Sequence, residues 1–252
     1  MEASTSRCRS LLDLYNSHRG KTSDKWASYL NFYNDIFRAY RDRPIRLLEI
    51  GVQNGGSLDI WRKFFPNAEL ILGCDVNVDC KKLVYDDERV ALCVGNANSI
   101  ETFDKIKELS ESFDIIIDDG SHRSSDIIKS FALYFPILSA GGLYVAEDLH
   151  CSYWAEFEGG LEAPFSSLNF FKRVSDLVNN EHWGGDISLG ESLSYYRDIL
   201  GIGFDDESLG CVLGVQFRNS VVTVSKGELN GNSLGRRVVV GESAEVWPIV
   251  QD

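Results

Sequence analysis

Two short stretches of the sequence end in adjacent carboxylates directly after runs of apolar residues. They are "FDIIIDDGSH", residues 113–122, and "LYVAEDL", residues 143–149. Apolar runs of this length are typical of buried parallel strands, and the carboxyl ends of such strands meet at one edge of the sheet. Carboxylates gathered there repel one another and raise one another's pKa unless a cation neutralises them. The pattern therefore predicts a hard divalent ion bound by oxygen ligands, with magnesium as the first candidate.

The predicted ligands of this ion are Asp119, Glu147 and Asp148. Asp118 lies one residue earlier on its strand. Because successive side chains of a strand point to opposite faces, we expect Asp118 to point elsewhere and to meet the amino group of a cofactor. His122 follows in the same loop. The alternative for all five residues is a solvated strand end with a turn histidine, since acids are common at such positions.

A third stretch, "LLEIGVQNGGSL" at 47–58, predicts a tight turn between a first strand and a first helix. Glu49, Gly51 and Gly55 follow the spacing E-x-G-x-x-x-G. Glycines let the backbone approach a ligand closely, which predicts a nucleotide-like ligand in the crevice at the strand ends. A dinucleotide-binding turn has the spacing G-x-G-x-x-G, so NAD is disfavoured. A tight turn that binds no ligand is the alternative.

Polar residues near the next strands extend this predicted site to an adenosine-containing cofactor. Asp75 ends the second strand, where a carboxylate can accept hydrogen bonds from two ribose hydroxyls. Asn96 follows the third strand, in reach of an adenine amino group. Ser57, at the start of the first helix, and Lys25 are candidates for the cofactor's carboxylate. The alternative for Lys25 is a surface lysine.

Composition restricts the partners of the chain. Its 252 residues are 44% hydrophobic, and 38 acidic against 25 basic residues give a net charge of -13. Nucleic acid is excluded as a partner, because binding to phosphate backbones needs clustered Lys and Arg. No apolar run approaches the ~20 residues that span a bilayer, and the amino terminus lacks a signal-peptide core, so we expect a cytoplasmic protein without membrane contact. The six cysteines include no CxxC pair, which predicts buried free thiols rather than disulfides or zinc.

Strand-like and helix-like segments alternate from about residue 45, and this alternation predicts a parallel sheet with crossover helices on both faces. "GVQFRNSVVTVSKG" at 214–227 predicts an antiparallel hairpin with a two-residue turn. The predicted fold class is α/β, a doubly wound Rossmann-like seven-stranded sheet with a carboxyl-terminal antiparallel hairpin. We expect a single domain over residues 1–252. Its parts are a helical segment at 1–44 that forms a lid or an oligomer contact, a core at 45–227 and a tail at 228–252.

Taken together, these features resemble class I S-adenosylmethionine-dependent methyltransferases. Four strings are similar to the metal-dependent sugar O-methyltransferases of macrolide biosynthesis, the mycinamicin and tylosin tailoring enzymes: "SDKWASYLNFY", "RLLEIGVQNGGSLDIWRKFFPNAEL", "FDIIIDDGSH" and "GGLYVAEDLHCSYW". The resemblance covers roughly residues 20–227. Enzymes of this type carry an additional amino-terminal region for which this chain has little room, and an Asp more often stands where Asn96 stands here.

The resemblance implies S-adenosylmethionine as the methyl donor, magnesium on Asp119, Glu147 and Asp148, and His122 as the catalytic base. The implied acceptor is a small molecule, a vicinal diol on a deoxysugar of a natural product. Catechol O-methyltransferases share this layout, so a small catechol or phenol is the alternative acceptor. A cofactor-binding but non-catalytic partner protein and a nicotinamide oxidoreductase are the remaining interpretations, and a homo-oligomer is a further expectation.

Overall fold

The structure is a computed structural model that describes residues 9–229, 231–243 and 245–246. Within these residues, seven strands form one sheet. The strands are β1 (Arg46–Ile50), β2 (Leu70–Asp75), β3 (Val90–Val94), β4 (Phe113–Asp118), β5 (Leu138–Ala146), β6 (Val212–Arg218) and β7 (Val221–Lys226). Their order across the sheet is β3-β2-β1-β4-β5-β7-β6.

The first five strands are parallel, and β7 pairs antiparallel with both β5 and β6. The order reverses between β1 and β4, which leaves a crevice at the carboxyl ends of these strands. The predicted fold class is confirmed, including the hairpin at the carboxyl end of the sheet.

Helices cover both faces of the sheet. They are α1 (Leu11–Ser17), α2 (Ala27–Ile36), α3 (Gly56–Phe64), α4 (Ile100–Leu109), α5 (Ser124–Tyr134), α6 (Ser167–Asp176), α7 (Leu189–Ser192), α8 (Ser194–Leu200) and α9 (Asp206–Leu209). A serine caps the amino end of α4, where the Ser99 hydroxyl oxygen accepts a hydrogen bond from the Thr102 amide at 3.2 Å.

The amino-terminal helices pack against one face of the sheet through buried aromatic side chains. Tyr33 of α2 stacks on Phe37 with ring centroids 5.1 Å apart, and Phe37 meets Trp61 of α3 edge-on at 5.9 Å. The segment predicted as a lid or an oligomer contact therefore contributes to the hydrophobic core. Its role as a lid or a contact stays a prediction.

The opposite face is covered by α5 and α6. Phe131 of α5 meets Tyr144 of β5 edge-on at 5.2 Å and Phe170 of α6 at 5.4 Å. These two layers leave both faces of the parallel strands buried, as the continuous apolar runs of the sequence predict.

The hairpin turn between β6 and β7 fixes the chain that leaves β5. Ser220 in this turn has a positive φ of 68°, and its carbonyl accepts hydrogen bonds from the Tyr29 hydroxyl at 2.9 Å and from the Leu149 amide at 2.8 Å. The turn thus connects α2 to the 3-10 helix Leu149–Tyr153. This connection positions the residues that follow β5.

Other sequence predictions concern the cysteines, the tail and the membrane. Cys74, Cys80, Cys93 and Cys151 are buried free thiols, as predicted, and Cys211 is partly exposed; Cys8 lies outside the described residues. The described part of the tail has neither helix nor strand. Among the described residues, no helix has the length and apolarity needed to cross a membrane. The cytoplasmic location stays a prediction.

Candidate active site

A cleft of about 490 Å³ lies at the carboxyl ends of β1, β2, β4 and β5, where the segment 22–26 borders it. Most of the predicted site residues line this cleft: Gly51, Ser57, Asp75, Asp119, His122, Glu147 and Asp148. The other predicted residues do not belong to its lining: Glu49, Gly55, Asn96 and Asp118.

The centre of the acidic cluster is the ammonium group of Lys25. Its Nζ atom donates a hydrogen bond to Glu147 Oε1 at 2.7 Å and a very short one to Asp119 Oδ2. Glu49 Oε1 lies 3.6 Å from the same nitrogen. The side chain of Lys25 is only 2% exposed. Lys25 is therefore not a surface lysine, and its donors face carboxylates of the protein rather than a cofactor's carboxylate.

One ammonium does not neutralise three carboxylates. Burial raises the pKa of Glu147 and that of Glu49 above their ordinary values, although Lys25 opposes the effect. Burial alone would lower the pKa of Lys25, but Glu147, Asp119 and Glu49 outweigh burial and raise it. The raised pKa values of these carboxyl groups mean that the cluster takes up a proton or a further cation more readily than isolated carboxylates do.

Glu49 lies beneath the cleft rather than on its surface. It alternates along β1 to the same face as the buried Leu47, and it is 0% exposed. Its Oε2 accepts a hydrogen bond from the Ser57 hydroxyl at 2.6 Å. Glu49 Oε1 has no hydrogen-bond partner among the described residues. The direct cofactor contact predicted for Glu49 is not supported by this position.

Asp148 and His122 both have left-handed backbone conformations, with φ of 54° and 59°. Such conformations cost non-glycine residues about 1 kcal/mol or more and persist where the surroundings hold them. Asp148 Oδ1 accepts hydrogen bonds from Trp26 Nε1 at 3.0 Å and from the Tyr29 hydroxyl at 2.9 Å. His122 Nε2 lies 3.7 Å from Asp148 Oδ2.

Asp119, His122 and Asp148 each offer a ligand atom, and these atoms lie within 4.8 Å of one another. Glu147 is not part of this group, and its carboxylate pairs with Lys25 at 2.7 Å. The structure therefore brings two of the three predicted metal ligands and the predicted base together. The distances alone are compatible with His122 as a base or as a ligand.

The glycine turn is shaped by contacts within the protein. A Cβ atom at Gly51, where φ is 90°, would lie 2.0 Å from the carbonyl oxygen of Asp119. At Gly55, where φ is 78°, a Cβ atom would lie 2.2 Å from the Tyr85 hydroxyl oxygen. Both positions require glycine. Glycine is needed here because the Asp119 carbonyl, directly after β4, and the Tyr85 hydroxyl pack against the turn. The sequence predicts the approach of a ligand instead.

Asp75 organises the same turn. Its Oδ2 accepts hydrogen bonds from the amides of Val52 and Gln53, both at 2.8 Å, and its Oδ1 accepts one from the Asn77 amide at 2.8 Å. A carboxylate oxygen can accept a second hydrogen bond. Asp75 lines the cleft, and its Oδ1 can accept one more hydrogen bond. Its contact with ribose hydroxyls stays a prediction.

Asn96 and Asp118 do not belong to the lining of the cleft. Asn96 is exposed, and its side-chain oxygen accepts a hydrogen bond from the Asn98 amide. Asp118 points to the opposite face of the sheet, as alternation along the strand predicts, and accepts a hydrogen bond from the Tyr144 hydroxyl at 3.1 Å. Burial there raises the pKa of Asp118 to about 6. The cofactor contacts of both residues stay predictions.

A row of aromatic rings begins at Trp26, which lines the cleft beside Asp148, and continues through His150 to Trp154, which do not line it. His150 meets Trp26 edge-on at 5.9 Å and Trp154 edge-on at 5.0 Å between ring centroids. Trp26 is 58% exposed and Trp154 is 47% exposed. Exposed tryptophans that adjoin an acidic cleft offer apolar faces to a ligand.

Comparison with known proteins identifies relatives of this chain, although no family model matches it. The chain is 37% identical over 164 residues to the mycinamicin VI 2''-O-methyltransferase of Micromonospora griseorubida, and the match covers 61% of this chain and 40% of the relative. It is 35% identical over 171 residues to the 8-demethyl-8-alpha-L-rhamnosyl tetracenomycin-C 2'-O-methyltransferase of Streptomyces olivaceus. That match covers 64% of this chain and 44% of the relative.

A solved structure agrees with these matches. The MycE methyltransferase of the mycinamycin biosynthetic pathway, in complex with Mg, SAH and mycinamycin VI, matches 90% of this chain and 55% of its own chain, with a TM-score of 0.73 and 29% identity. The chain is a homologue of these O-methyltransferases. The resemblance stated from the sequence is thereby confirmed. The chain spans about half the length, or less, of the homologues it matches.

Lys25 is named from the sequence as a candidate for a cofactor's carboxylate, but its pairing with Asp119 and Glu147 is missed. Its position within "SDKWASYLNFY", one of the strings that carry the resemblance, was the available signal. Trp26, the next residue, was missed as well, although it donates a hydrogen bond to Asp148.

Proposed function

We propose that the chain is a magnesium- and S-adenosylmethionine-dependent O-methyltransferase that methylates one hydroxyl of a vicinal diol, on a deoxysugar of a natural product. The observation that carries this proposal is the group formed by Asp119, His122 and Asp148, whose ligand atoms lie within 4.8 Å of one another in the cleft. The same space is thus faced by carboxylates that can bind a metal and by an imidazole that can accept a proton. A homologue has been solved with Mg and SAH, which supports the same cofactors here.

The residues present fit a magnesium ion. Three carboxylates surround the single ammonium of Lys25, and Glu49 Oε1 has no hydrogen-bond partner among the described residues. Magnesium prefers oxygen ligands and is usually bound through one or two carboxylates, with water and substrate in the other positions. Asp119, Glu147 and Asp148 would hold the ion.

The cleft also fits S-adenosylmethionine. Its volume of about 490 Å³ lies in the range of small-molecule sites. Ser57 and Asp75 line the cleft on the side of the glycine turn, where their hydroxyl and carboxylate can form hydrogen bonds with a ligand. They would bind the polar ends of the cofactor.

In this proposal, His122 is the base that activates the acceptor. When bound, magnesium polarises the acceptor hydroxyl as a Lewis acid, and S-adenosylmethionine supplies the methyl group from its sulfonium sulfur. His122 accepts the hydroxyl proton at Nε2, because Nδ1 is buried without a hydrogen-bond partner among the described residues. The Asp148 carboxylate, 3.7 Å from Nε2, stabilises the imidazolium that results. Trp26 and Tyr29 hold this carboxylate in place.

The experiment that tests the proposed function combines binding with turnover. We expect S-adenosylmethionine and S-adenosylhomocysteine to bind the purified, metal-free chain in isothermal titration, and magnesium to bind the resulting complex. With both present, mass spectrometry should detect transfer of one methyl group to mycinamicin VI or another deoxysugar glycoside. Methylation of catechol without any glycoside product would replace the sugar acceptor by a phenol. Binding of NADH without S-adenosylmethionine would reject a methyltransferase.

The exposed aromatic row supports a sugar as the acceptor, because sugars stack on aromatic faces. We expect Trp154→Ala to raise the KM for the glycoside about fivefold with a smaller change in kcat, since one such contact contributes ~1 kcal/mol. Tyr195 is 46% exposed and packs against Tyr196, outside the aromatic row, so Tyr195→Ala serves as the matched control. Equal KM values for wild type and Trp154→Ala would remove this residue from the acceptor site.

A further inference from the structure

Lys25 occupies the space between two carboxylates to which the proposed function assigns a metal. We propose that Lys25 is a built-in counter-ion, which holds Asp119 and Glu147 in the metal-free chain, and that a divalent ion binds by taking these carboxylates over from it. This inference rests on the metal site of the proposed function.

The contacts of Lys25 are those of a cation that is already bound. Nζ donates to Glu147 Oε1 at 2.7 Å and to Asp119 Oδ2, and the side chain is 2% exposed. A divalent ion on the same carboxylates would lie close to this ammonium, and like charges repel strongly in a buried site. The ion and the ammonium therefore compete for the same oxygens.

Glu49 provides a second position for the displaced ammonium. Its Oε1 lies 3.6 Å from Nζ, and this oxygen is buried without a hydrogen-bond partner among the described residues. Its other oxygen, Oε2, is bound by the Ser57 hydroxyl, which keeps the carboxylate in place. The flexible stem of a lysine allows a short shift of the ammonium toward Glu49. Lys25 can thus give up Asp119 and Glu147 without becoming an unpaired buried charge.

Two substitutions with opposite effects on metal affinity test this inference. We expect Lys25→Met to bind magnesium at least about tenfold more tightly than wild type in isothermal titration, because the competing charge is gone. The metal-free variant should also unfold at a lower temperature than metal-free wild type, since its carboxylates lose their counter-ion. Lys21 lies in the same segment and pairs with Asp59 at 3.1 Å, so Lys21→Met is the control with unchanged magnesium affinity.

Glu49→Gln should weaken magnesium binding about tenfold, because Lys25 then has no second position. A simple loss of negative charge would also weaken binding, and the double variant separates the two causes. In the Lys25→Met background, we expect Glu49→Gln to change the affinity by less than about twofold. The same weakening in both backgrounds would contradict a shift of Lys25 toward Glu49.

The outcomes distinguish this inference from the proposed function. If Lys25→Met binds magnesium as tightly as wild type or more weakly, Lys25 does not compete with the ion. The metal site of the proposed function would then be retained, and this inference would be rejected. Absence of magnesium binding in both wild type and Lys25→Met would overturn the metal site together with the inference. If Lys25→Met does not fold, as judged by circular dichroism, unchanged magnesium affinity in Glu49→Gln still overturns the inference.

Discussion

Replacing His122 with Asn is expected to lower kcat by about 10²–10⁴-fold, the usual contribution of a general base. Asn is the suitable replacement because His122 has a φ of 59°, and Asn tolerates the left-handed conformation better than Ala does. The variant therefore keeps the backbone of the loop and removes the imidazole. Steady-state rates at saturating S-adenosylmethionine and magnesium provide the measurement.

The affinity for magnesium separates the two roles that the distances allow for His122. If His122 is the base, His122→Asn binds magnesium as tightly as wild type while kcat falls. If magnesium affinity falls together with kcat, His122 is a metal ligand, as its position near Asp119 and Asp148 also permits. His182 is 54% exposed and lies next to Glu181, so His182→Asn controls for the loss of a histidine elsewhere. A variant with nearly full kcat would exclude His122 from both roles.

The location of the cleft could be predicted because it depends on topology. Alternating strand and helix segments permit few arrangements of the sheet, and all of them place the residues after β4 and β5 at one edge. Alternation along β4 also predicts that Asp118 and Asp119 point to opposite faces, which the structure confirms. Both predictions use only the period of a strand and the direction of its neighbours.

The partners of the acids could not be predicted in the same way. Lys25 is 94 residues from Asp119 and 122 residues from Glu147 in the sequence. It lies between α1 and α2, in a segment without the periodicity that would assign its side chain to a face. The sequence alone therefore predicts a metal as the only cation that offsets the repulsion among the carboxylates. In the structure, the buried ammonium of Lys25 offsets part of this repulsion.

The residues near the glycine turn show a second limit of local patterns. The spacing of Glu49, Gly51 and Gly55 is that of a ligand-binding turn, but all three residues meet other parts of the protein, Gly51 through the Asp119 carbonyl. Gly55 leaves room for Tyr85, which comes from the connection after β2, and Glu49 pairs with Ser57 and Lys25. A spacing identifies where the backbone must be tight. It does not identify whether atoms of a ligand or atoms of the protein itself come close to the backbone there.

Asp119→Asn is expected to weaken magnesium binding by more than about a hundredfold, since even residues behind the ligands change metal affinity by 10–100-fold. The substitution keeps the shape of the side chain and removes its charge. Asp119 is also anchored through its amide, which donates a hydrogen bond to the Ile50 carbonyl at 2.8 Å, so the variant should keep the cleft intact. Isothermal titration of magnesium into the complex with S-adenosylhomocysteine measures the change.

Binding of S-adenosylhomocysteine to the same variant distinguishes a lost ligand from a collapsed cleft. We expect this binding to be retained in Asp119→Asn while methyl transfer falls with the magnesium occupancy, because the glycine turn and Asp75 are unchanged. Asp114 lies at the amino end of the same strand, where its carboxylate accepts a hydrogen bond from the Arg46 amide at 2.9 Å. Asp114→Asn makes the same chemical change at the opposite end of β4 and should leave magnesium affinity unaltered. Unchanged metal dependence in Asp119→Asn would remove Asp119 from the ligand set and leave its carboxylate as a partner of Lys25 alone.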